Sequence, residues 1–189
     1  ATYLITGGMG GLGLLVADWM ISNGAKNLVL VGRSSPNQAA REKLAELQKT
    51  GATVVVEKAD VSDVTDMTRV LHNIENFNMP LAGIIHSAGM LSDGVLINQI
   101  WSNFEKVMAA KVQGSWLLHN LTQNQSLDFF ILFSSVASLL GSPGQGNHSA
   151  ANGFLDGLAH YRQAMGLPGL SINWGAVSQV GEAVEKGAD

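Results

Sequence analysis

The chain of 189 residues contains no cysteine, which excludes disulfide bonds, a thiol nucleophile and thiolate metal ligands. Charged residues make up only 14%, and the net charge of −4 comes without a basic cluster, so nucleic-acid binding through phosphates is not expected. No apolar run approaches the ~18 residues that a transmembrane helix needs, and no basic region precedes the first apolar run. We therefore expect a cytoplasmic protein with neither a membrane nor a nucleic-acid partner.

The five histidines lie apart in the sequence and form no H-E-x-x-H or other tight ligand pattern, so we expect no catalytic metal. Hydrophobic residues make up 46% of the chain, which is high beside so few charges. This composition is typical of a domain whose faces are covered by neighbours. Since both ends look trimmed, we expect residues 1–189 to be a single catalytic subdomain cut from a larger multidomain protein.

Glycine is abundant, with 22 residues, and the first cluster lies between an apolar run and a helical pattern. Its sequence is Thr6-Gly7-Gly8-Met9-Gly10-Gly11-Leu12-Gly13. Two dinucleotide templates fit, G-x-G-x-x-G from Gly8 and G-x-x-x-G-x-G from Gly7. The strand–turn–helix context favours a dinucleotide site over a plain tight turn. Phosphates would then lie against the free N–H groups at the start of the helix.

Short β-branched runs alternate with longer helical patterns along the chain. The runs predict strands at 2–6, 27–31, 53–58, 81–86, 129–134 and 169–173. The helical patterns predict helices at 11–23, 38–50, 64–76, 101–121 and 145–165, and the polar segment 179–189 predicts a loop. Near-continuous apolar strands in strict alternation with helices predict a Rossmann-like, doubly wound parallel α/β sheet.

Side chains for chemistry are expected at the carboxyl ends of these strands. Arg33 stands 20 residues after Gly13, where a site for NAD would have an acidic residue. An arginine there can pair with the 2′-phosphate of NADPH, although a solvated loop arginine is the simpler reading of the residue alone. Asp60 follows the third strand and fits either an adenine amino group or the N-cap of the next helix.

The fourth strand ends in His86-Ser87-Ala88-Gly89, small residues that would let a cofactor lie close to the backbone. His86 itself is interpreted as a structural histidine at the strand end, with its hydrogen bonds made within the protein. The fifth strand ends at Phe133-Ser134-Ser135, where one of the two serines fits either a carbonyl-binding role or a turn. His148 and Asn152 share a helix face because they are four residues apart. Lys111 lies in a helix, where a lone lysine is usually solvated.

Several motifs agree in order and spacing with one family across nearly the whole chain. They are the turn at 6–13, Val31-Gly32-Arg33-Ser34, Ala59-Asp60-Val61, His86-Ser87-Ala88-Gly89, Lys111-Val112-Gln113-Gly114, Phe133-Ser134-Ser135, Gly141-Ser142-Pro143-Gly144-Gln145-Gly146-Asn147, Ala150-Ala151-Asn152 and Asn173-Trp174-Gly175. The chain resembles a ketoreductase domain of a modular polyketide synthase, in the short-chain dehydrogenase/reductase superfamily.

The resemblance implies that NADPH reduces the β-keto group of an acyl chain tethered to an acyl carrier protein. It also implies other polyketide synthase domains as partners, including a structural subdomain that this sequence does not contain. Cofactor contacts would come from Thr6, Gly7, Gly8, Gly10, Gly11, Leu12, Gly13, Arg33, Ser34, Asp60, Val61, Ser87, Ala88, Gly89 and Lys111. An unrelated nucleotide-binding domain, such as a methyltransferase, is a further alternative, and the residues that argue against it are Arg33, Lys111, Ser135 and Asn152.

The family uses a serine, a tyrosine, a lysine and an asparagine in catalysis. By resemblance, Ser135 binds the carbonyl oxygen, Lys111 binds the nicotinamide ribose and favours the ionised acid, and Asn152 orders the site and its water. The tyrosine position is His148 here, and neither Tyr3 nor Tyr161 fits it. Nearby cations favour a neutral imidazole, which is a poor acid.

The sequence alone leaves open two consequences of a histidine at the tyrosine position. The proton could come from His148, a relay water or Lys111, with slower reduction, or the domain could be a catalytically silent module. Leu91-Ser92-Asp93 resembles the Leu-Asp-Asp motif of B-type domains, and Leu140 replaces the tryptophan of A-type domains. A D-configured hydroxyl is therefore the expected product.

Overall fold

A computed structural model describes residues 1–76 and 80–175, and its centre is one parallel sheet. Six strands pair in the order β3-β2-β1-β4-β5-β6. They are β1 (Thr2–Thr6), β2 (Asn27–Gly32), β3 (Thr53–Lys58), β4 (Leu81–His86), β5 (Phe129–Ser135) and β6 (Leu170–Trp174). The predicted Rossmann-like sheet is confirmed, and each predicted strand end lies within one residue of the observed one.

Both faces of the sheet are buried, which explains the near-continuous apolar strands. Neighbouring residues of a strand point to opposite faces. Leu4 packs in one hydrophobic cluster and Ile5 in the other, and Ile84 and Ile85 divide in the same way. Helices cover both clusters, as a parallel sheet requires.

The helices among the described residues are α1 (Gly11–Ser22), α2 (Gln38–Lys49), α3 (Val64–Glu75), α4 (Trp101–Met108), α5 (Gly114–Thr122), α6 (Ala137–Leu140) and α7 (Gly146–Ala164). Side-chain caps begin two of them. Asn37 accepts a hydrogen bond from the Ala40 N–H at 2.9 Å, and Asp63 accepts one from the Asp66 N–H at 3.0 Å. None of these helices has both the length and the apolar character needed to cross a membrane.

The prediction of a single helix over 101–121 was wrong in one respect. A five-residue π turn, Ala109–Gln113, separates α4 from α5. A π turn widens the helix locally and changes the direction in which its side chains point, and such turns are frequent at functional sites. The short helix α6 was not predicted, because four residues are too few to show a repeating apolar pattern. The predicted loop at 179–189 lies outside the described residues.

The strand order places the site. Chain order reverses between β1 and β4, which lie side by side although β2 and β3 come between them in sequence. In an open parallel sheet, a crevice forms at this switch point beyond the carboxyl ends of the strands. The glycine-rich turn follows β1, and Ser87 to Gly89 follow β4, so both flank the crevice.

Candidate active site

A cleft of about 920 Å³ opens at the carboxyl ends of the strands. The predicted residues that line it are Thr6, Gly7, Gly10, Gly11, Leu12, Gly13, Arg33, Asp60, Val61, Ser87, Ala88, Gly89, Lys111, Ser135 and His148. Gly8, Ser34 and Asn152 are not among its lining residues. The fold therefore brings residues from five strand ends, from α1 and α7 and from the π turn to one surface.

The glycine-rich turn is built for close backbone contacts. Gly7 has φ +67°, and a Cβ there would lie 2.8 Å from the Ser87 carbonyl. A Cβ on Gly13 would overlap the carbonyl oxygen of Gly7. Gly8 packs inward, since its Cβ would lie 2.9 Å from Cβ of Leu30. Gly10 is exposed and less crowded, since an added Cβ would have the Gly7 oxygen at 3.3 Å as its single near neighbour.

The start of α1 presents a site suited to an anion. Gly10 is the N-cap and offers no side-chain hydrogen bond, and no acidic residue lies in the first turn. The first N–H groups of a helix lack partners within the helix, and its dipole is positive at this end. Since Gly10 to Gly13 line the cleft, these N–H groups can hold a pyrophosphate there.

Arg33 and Asp60 stand at the ends of β2 and β3. Arg33 is exposed at the cleft, and its Nη2 lies 4.0 Å from Sδ of Met90. Asp60 Oδ1 accepts hydrogen bonds from the N–H and the hydroxyl of Ser62, at 2.9 and 2.6 Å. The N-cap of α3 is Asp63. Asp60 therefore does not cap this helix and instead braces the turn beside the cleft.

Lys111 projects from the π turn into the interior. Its side chain is buried, and Nζ donates a hydrogen bond to the carbonyl oxygen of Phe133 at 2.8 Å. A Cβ on Gly89 would lie 3.1 Å from Cε of Lys111. The lysine stem therefore runs between the ends of β4 and β5, and the ammonium lies beside the strand that carries Ser135. The reading of a solvated helix lysine is wrong.

His148 lies in the first turn of α7 and lines the cleft. Burial, aided by the charge of Lys111 and opposed by that of Asp93, lowers the pKa of His148 from 6.5 to about 4. Its Nδ1 is buried and has no hydrogen-bond partner among the described residues. The imidazole is therefore neutral near pH 7, and its ring can offer one N–H to a ligand.

Asn152 lies below His148 rather than in the cleft. It is fully buried, and its Nδ2 donates to the His148 carbonyl oxygen at 2.8 Å. Its Oδ1 is buried and unpartnered among the described residues, so it can accept from a water that enters the site. The spacing of four residues correctly predicted that His148 and Asn152 share a helix face, but it could not predict that Asn152 is the more deeply buried of the two.

Asn147 is a buried residue that the sequence analysis quoted as part of a motif but assigned no role. Its Nδ2 donates to the carbonyl oxygen of Ser92 at 2.8 Å, which ties the segment after β4 to the start of α7. Asp93 of that segment lines the cleft, and Gln145 Nε2 donates to its Oδ1 at 3.3 Å. No local pattern marks Asn147, since its partner lies 55 residues away in sequence.

His86 is a buried strand-end histidine, and its predicted satisfied state is confirmed at one nitrogen. Its Nδ1 lies 2.7 Å from Oγ1 of Thr6, across the β1–β4 pair. Complete burial, with a smaller effect of Lys111, lowers the pKa of His86 from 6.5 to about 3. The imidazole links the two central strands directly beneath the cleft and stays neutral there.

The cleft fits a nicotinamide dinucleotide. The exposed Gly10 and the N-terminus of α1 suit the pyrophosphate, an arginine lies at one end, and a buried lysine lies at the other. Within residues 1–76 and 80–175, no group of three or more His, Cys, Asp or Glu side chains could hold a metal ion.

A parallel sheet of this order, with the glycine turn at its switch point and Lys111, Ser135 and His148 in one cleft, defines a nucleotide-binding domain of the short-chain dehydrogenase/reductase type. Residues 1–179 match the family described as KR domain. The chain belongs to this family, the ketoreductase domains of modular polyketide synthases.

Two curated relatives come from Mycobacterium tuberculosis. A subunit of the phenolphthiocerol/phthiocerol polyketide synthase is 43% identical over 96% of this chain and 8% of its own length. A mycocerosic acid synthase-like polyketide synthase is 43% identical over 97% of this chain and 9% of its own length. The chain thus spans less than a tenth of each relative.

Solved structures give the same family. A ketoreductase domain from the bacillaene assembly line superposes with a TM-score of 0.92 at 37% identity, over 96% of this chain and 45% of that one. An A1-type ketoreductase superposes with a TM-score of 0.93 at 35% identity, over 97% of this chain and 39% of that one.

Proposed function

We propose that this domain uses NADPH to reduce the β-keto group of an acyl chain tethered to an acyl carrier protein, giving the β-hydroxyacyl thioester. One observation carries the proposal: Lys111, Ser135 and His148 line the same cleft as the glycine turn and Arg33. A phosphate cradle and a carbonyl-binding group therefore face one space, as hydride transfer between two ligands requires.

The residues that would hold the cofactor divide by its chemical parts. The N–H groups at the start of α1 bind the pyrophosphate, and the guanidinium of Arg33 pairs with the 2′-phosphate. Asp60 lies on the adenine side, and Lys111 binds the nicotinamide ribose. The cofactor supplies the hydride when it is bound. We expect NADPH rather than NADH because the end of β2 carries an arginine and no acid.

The keto group is bound at the opposite end of the cleft. The Ser135 hydroxyl and the one N–H of neutral His148 donate hydrogen bonds to the carbonyl oxygen, and the nearby charge of Lys111 stabilises the negative charge that develops on it. The unpartnered Oδ1 of Asn152 holds a water near the helix that carries His148. Asp93 at the cleft supports a product with a D-configured hydroxyl.

Proton donation to the carbonyl oxygen is the least favourable step in this site. A neutral imidazole would leave as an imidazolate if it gave up its proton, so it is not an effective acid at pH 7. Effective donation needs imidazolium, which burial and Lys111 disfavour. Turnover is therefore expected to be slower than with a tyrosine, with His148, a relay water or Lys111 as the proton source.

One observation favours a second function. His148 stands where the family has its proton-donating tyrosine, so a catalytically silent module within a polyketide synthase is the alternative. Such a module would serve architecture or the docking of a carrier protein. It would have no use for Arg33, Lys111 and Ser135 in one cleft, and we therefore place reduction first.

The proposal extends to partners because the chain spans 8% of a relative that belongs to a polyketide synthase. We infer that residues 1–189 form one catalytic subdomain of a multidomain enzyme. Its partners would be an acyl carrier protein, a structural subdomain and the neighbouring synthase domains. The carrier protein would deliver the tethered acyl chain to the end of the cleft formed by Ser135 and His148.

The test joins cofactor binding to turnover in the full ketoreductase domain. NADPH and NADH are titrated first, and oxidation of NADPH is then followed with a β-ketoacyl thioester and with an alcohol thioester as the control substrate. Oxidation only in the presence of the keto substrate supports reduction. Binding without turnover, restored by His148→Tyr, would reject reduction and support the silent module. Equal affinity for NADH would reject the assignment of Arg33.

A further inference from the structure

A carboxylate on α7 joins three elements behind the active site. Asp156 Oδ2 accepts from the Ser138 hydroxyl at 2.6 Å, and Oδ1 accepts from the Ser171 hydroxyl at 2.5 Å. Nδ2 of Asn173 lies 3.1 and 3.2 Å from the two carboxylate oxygens. The donors come from α6 and β6, so one side chain links both of these elements to α7.

The same hydrogen bonds reach the end of β5. Nδ2 of Asn173 lies 2.9 Å from Oγ of Ser138 and 3.3 Å from the carbonyl oxygen of Ser135. The Ser138 hydroxyl lies 2.9 Å from that same carbonyl oxygen, although its single proton goes to the nearer, charged carboxylate. The Ser135 carbonyl oxygen therefore accepts from one of these side chains, the Asn173 amide, which Asp156 also holds, while Asp156 fixes α6 directly through Ser138.

Asp156 does not touch the cleft. It is absent from the residues that line the cleft, whereas Ser135 and His148 are present. His148 lies eight residues before Asp156 on α7, which is about two helical turns at 3.6 residues per turn. The helix is continuous over Gly146–Ala164, so it transmits the position of Asp156 to His148 as a rigid rod.

We propose that Asp156 is a positioning residue that sets the separation of Ser135 and His148 by tying the β5–α6 turn, through Ser138 and Asn173, to α7. The proposal rests on the proposed reduction for its kinetic part only. Asp156 would act on the two groups that bind the carbonyl oxygen and not on the cofactor end of the cleft, where the glycine turn and Arg33 lie.

The carboxylate stays ionised while it does this. Burial acts to raise the pKa of Asp156, but hydrogen bonds outweigh it and hold the pKa below its ordinary value of 3.8; they come from Ser138, Ser171, Ser134 and Asn173. An ionised acceptor binds two hydroxyls more strongly than a neutral one does. Asparagine at this position keeps one acceptor oxygen and the shape of the side chain, whereas alanine removes both oxygens.

The kinetic test compares Asp156→Ala, Asp156→Asn and a control, Asp128→Ala, which removes an exposed carboxylate just before β5. We expect Asp156→Ala to lower kcat about 10- to 100-fold, as the loss of one charge-assisted hydrogen bond implies. The Kd for NADPH should stay within about twofold, and Asp156→Asn should recover most of kcat. A normal kcat, or a loss of NADPH affinity equal to the loss of kcat, overturns the proposal.

A second measurement does not depend on turnover. Hydrogen exchange is followed in the ligand-free domain for the amides of α6, with α2 as the internal reference. Asp156→Ala should raise exchange in α6 and leave α2 unchanged, and Ser138→Ala should give the same pattern with no further effect in the double variant. Unchanged α6 exchange refutes the positioning role even if the domain reduces thioesters. Faster α6 exchange in a domain without turnover supports the role and rejects only the proposed reduction.

Discussion

The acid step of this site can be tested through the pH dependence of reduction. With the pKa of His148 at about 4, roughly one molecule in a thousand carries imidazolium at pH 7. If that imidazolium gives the proton, the rate of a single turnover rises about tenfold for each pH unit between pH 7.5 and pH 5. The rate rises rather than falls with acid because the pKa of His148 lies below this range, so acid increases the fraction of imidazolium throughout it.

The comparison variants are His148→Tyr and His148→Phe. Tyrosine has an ordinary pKa of about 10, so it is protonated throughout this range and its profile should be flat and faster at pH 7, by up to about a thousandfold. Phenylalanine removes both ring nitrogens and should lose the slope together with most of the rate.

The assay mixes the NADPH-loaded domain with excess β-ketoacyl thioester and records the loss of reduced-nicotinamide absorbance in one turnover. Blanks without thioester correct for the acid lability of NADPH. A flat wild-type profile, or a His148→Phe variant as fast as the wild type, would refute His148 as the proton source. The relay water or Lys111 would then take that role.

Three further predictions concern stability and the cofactor. Lowering the pH from 7.5 to 5 should reduce the free energy of unfolding by about 2 kcal/mol through His86, since only the imidazole of the unfolded chain binds a proton in this pH range. Urea titrations at both pH values should show a smaller loss of stability in His86→Asn than in the wild type. An equal loss in the two proteins would contradict this role of His86. Arg33→Ala should raise the Kd for NADPH on the order of 10- to 100-fold and leave that for NADH unchanged, measured by fluorescence titration. Gly157→Ala, where an added Cβ meets nothing within 4 Å, should raise the free energy of unfolding by about 0.5–1 kcal/mol, whereas Gly13→Ala should lower both stability and NADPH binding.

Much of the fold was available in the sequence because its signals are local. Short runs of five or six residues, rich in apolar and β-branched side chains, predicted all six described strands within one residue at each end. The π turn at Ala109–Gln113 was not available, because one extra residue in a helical turn leaves the apolar spacing almost unchanged. The four residues of α6 are too few to show a period.

The residues of the candidate site also divide into those that local sequence signals predict and those that only the structure shows. Glycines and strand-end residues follow from topology, since parallel strands end at one edge of the sheet. The resemblance to ketoreductases named Lys111, while periodicity alone favoured a solvated surface position for it. Asn147 and Asp156 were missed because their partners lie far away in sequence, and only the packed structure brings those groups together.

His148, which is partly buried, and His86, which is fully buried, respond to acid in opposite ways. Acid increases the protonated form of His148, and it lowers the free energy of unfolding through His86, whose ring contacts Thr6 across the β1–β4 pair. The rise in rate between pH 7.5 and pH 5 would thus record the ionisation of His148, whereas a fall in rate at lower pH would record the loss of folded protein. Such a fall should depend on incubation time and temperature, whereas the titration of a catalytic group does not depend on incubation time.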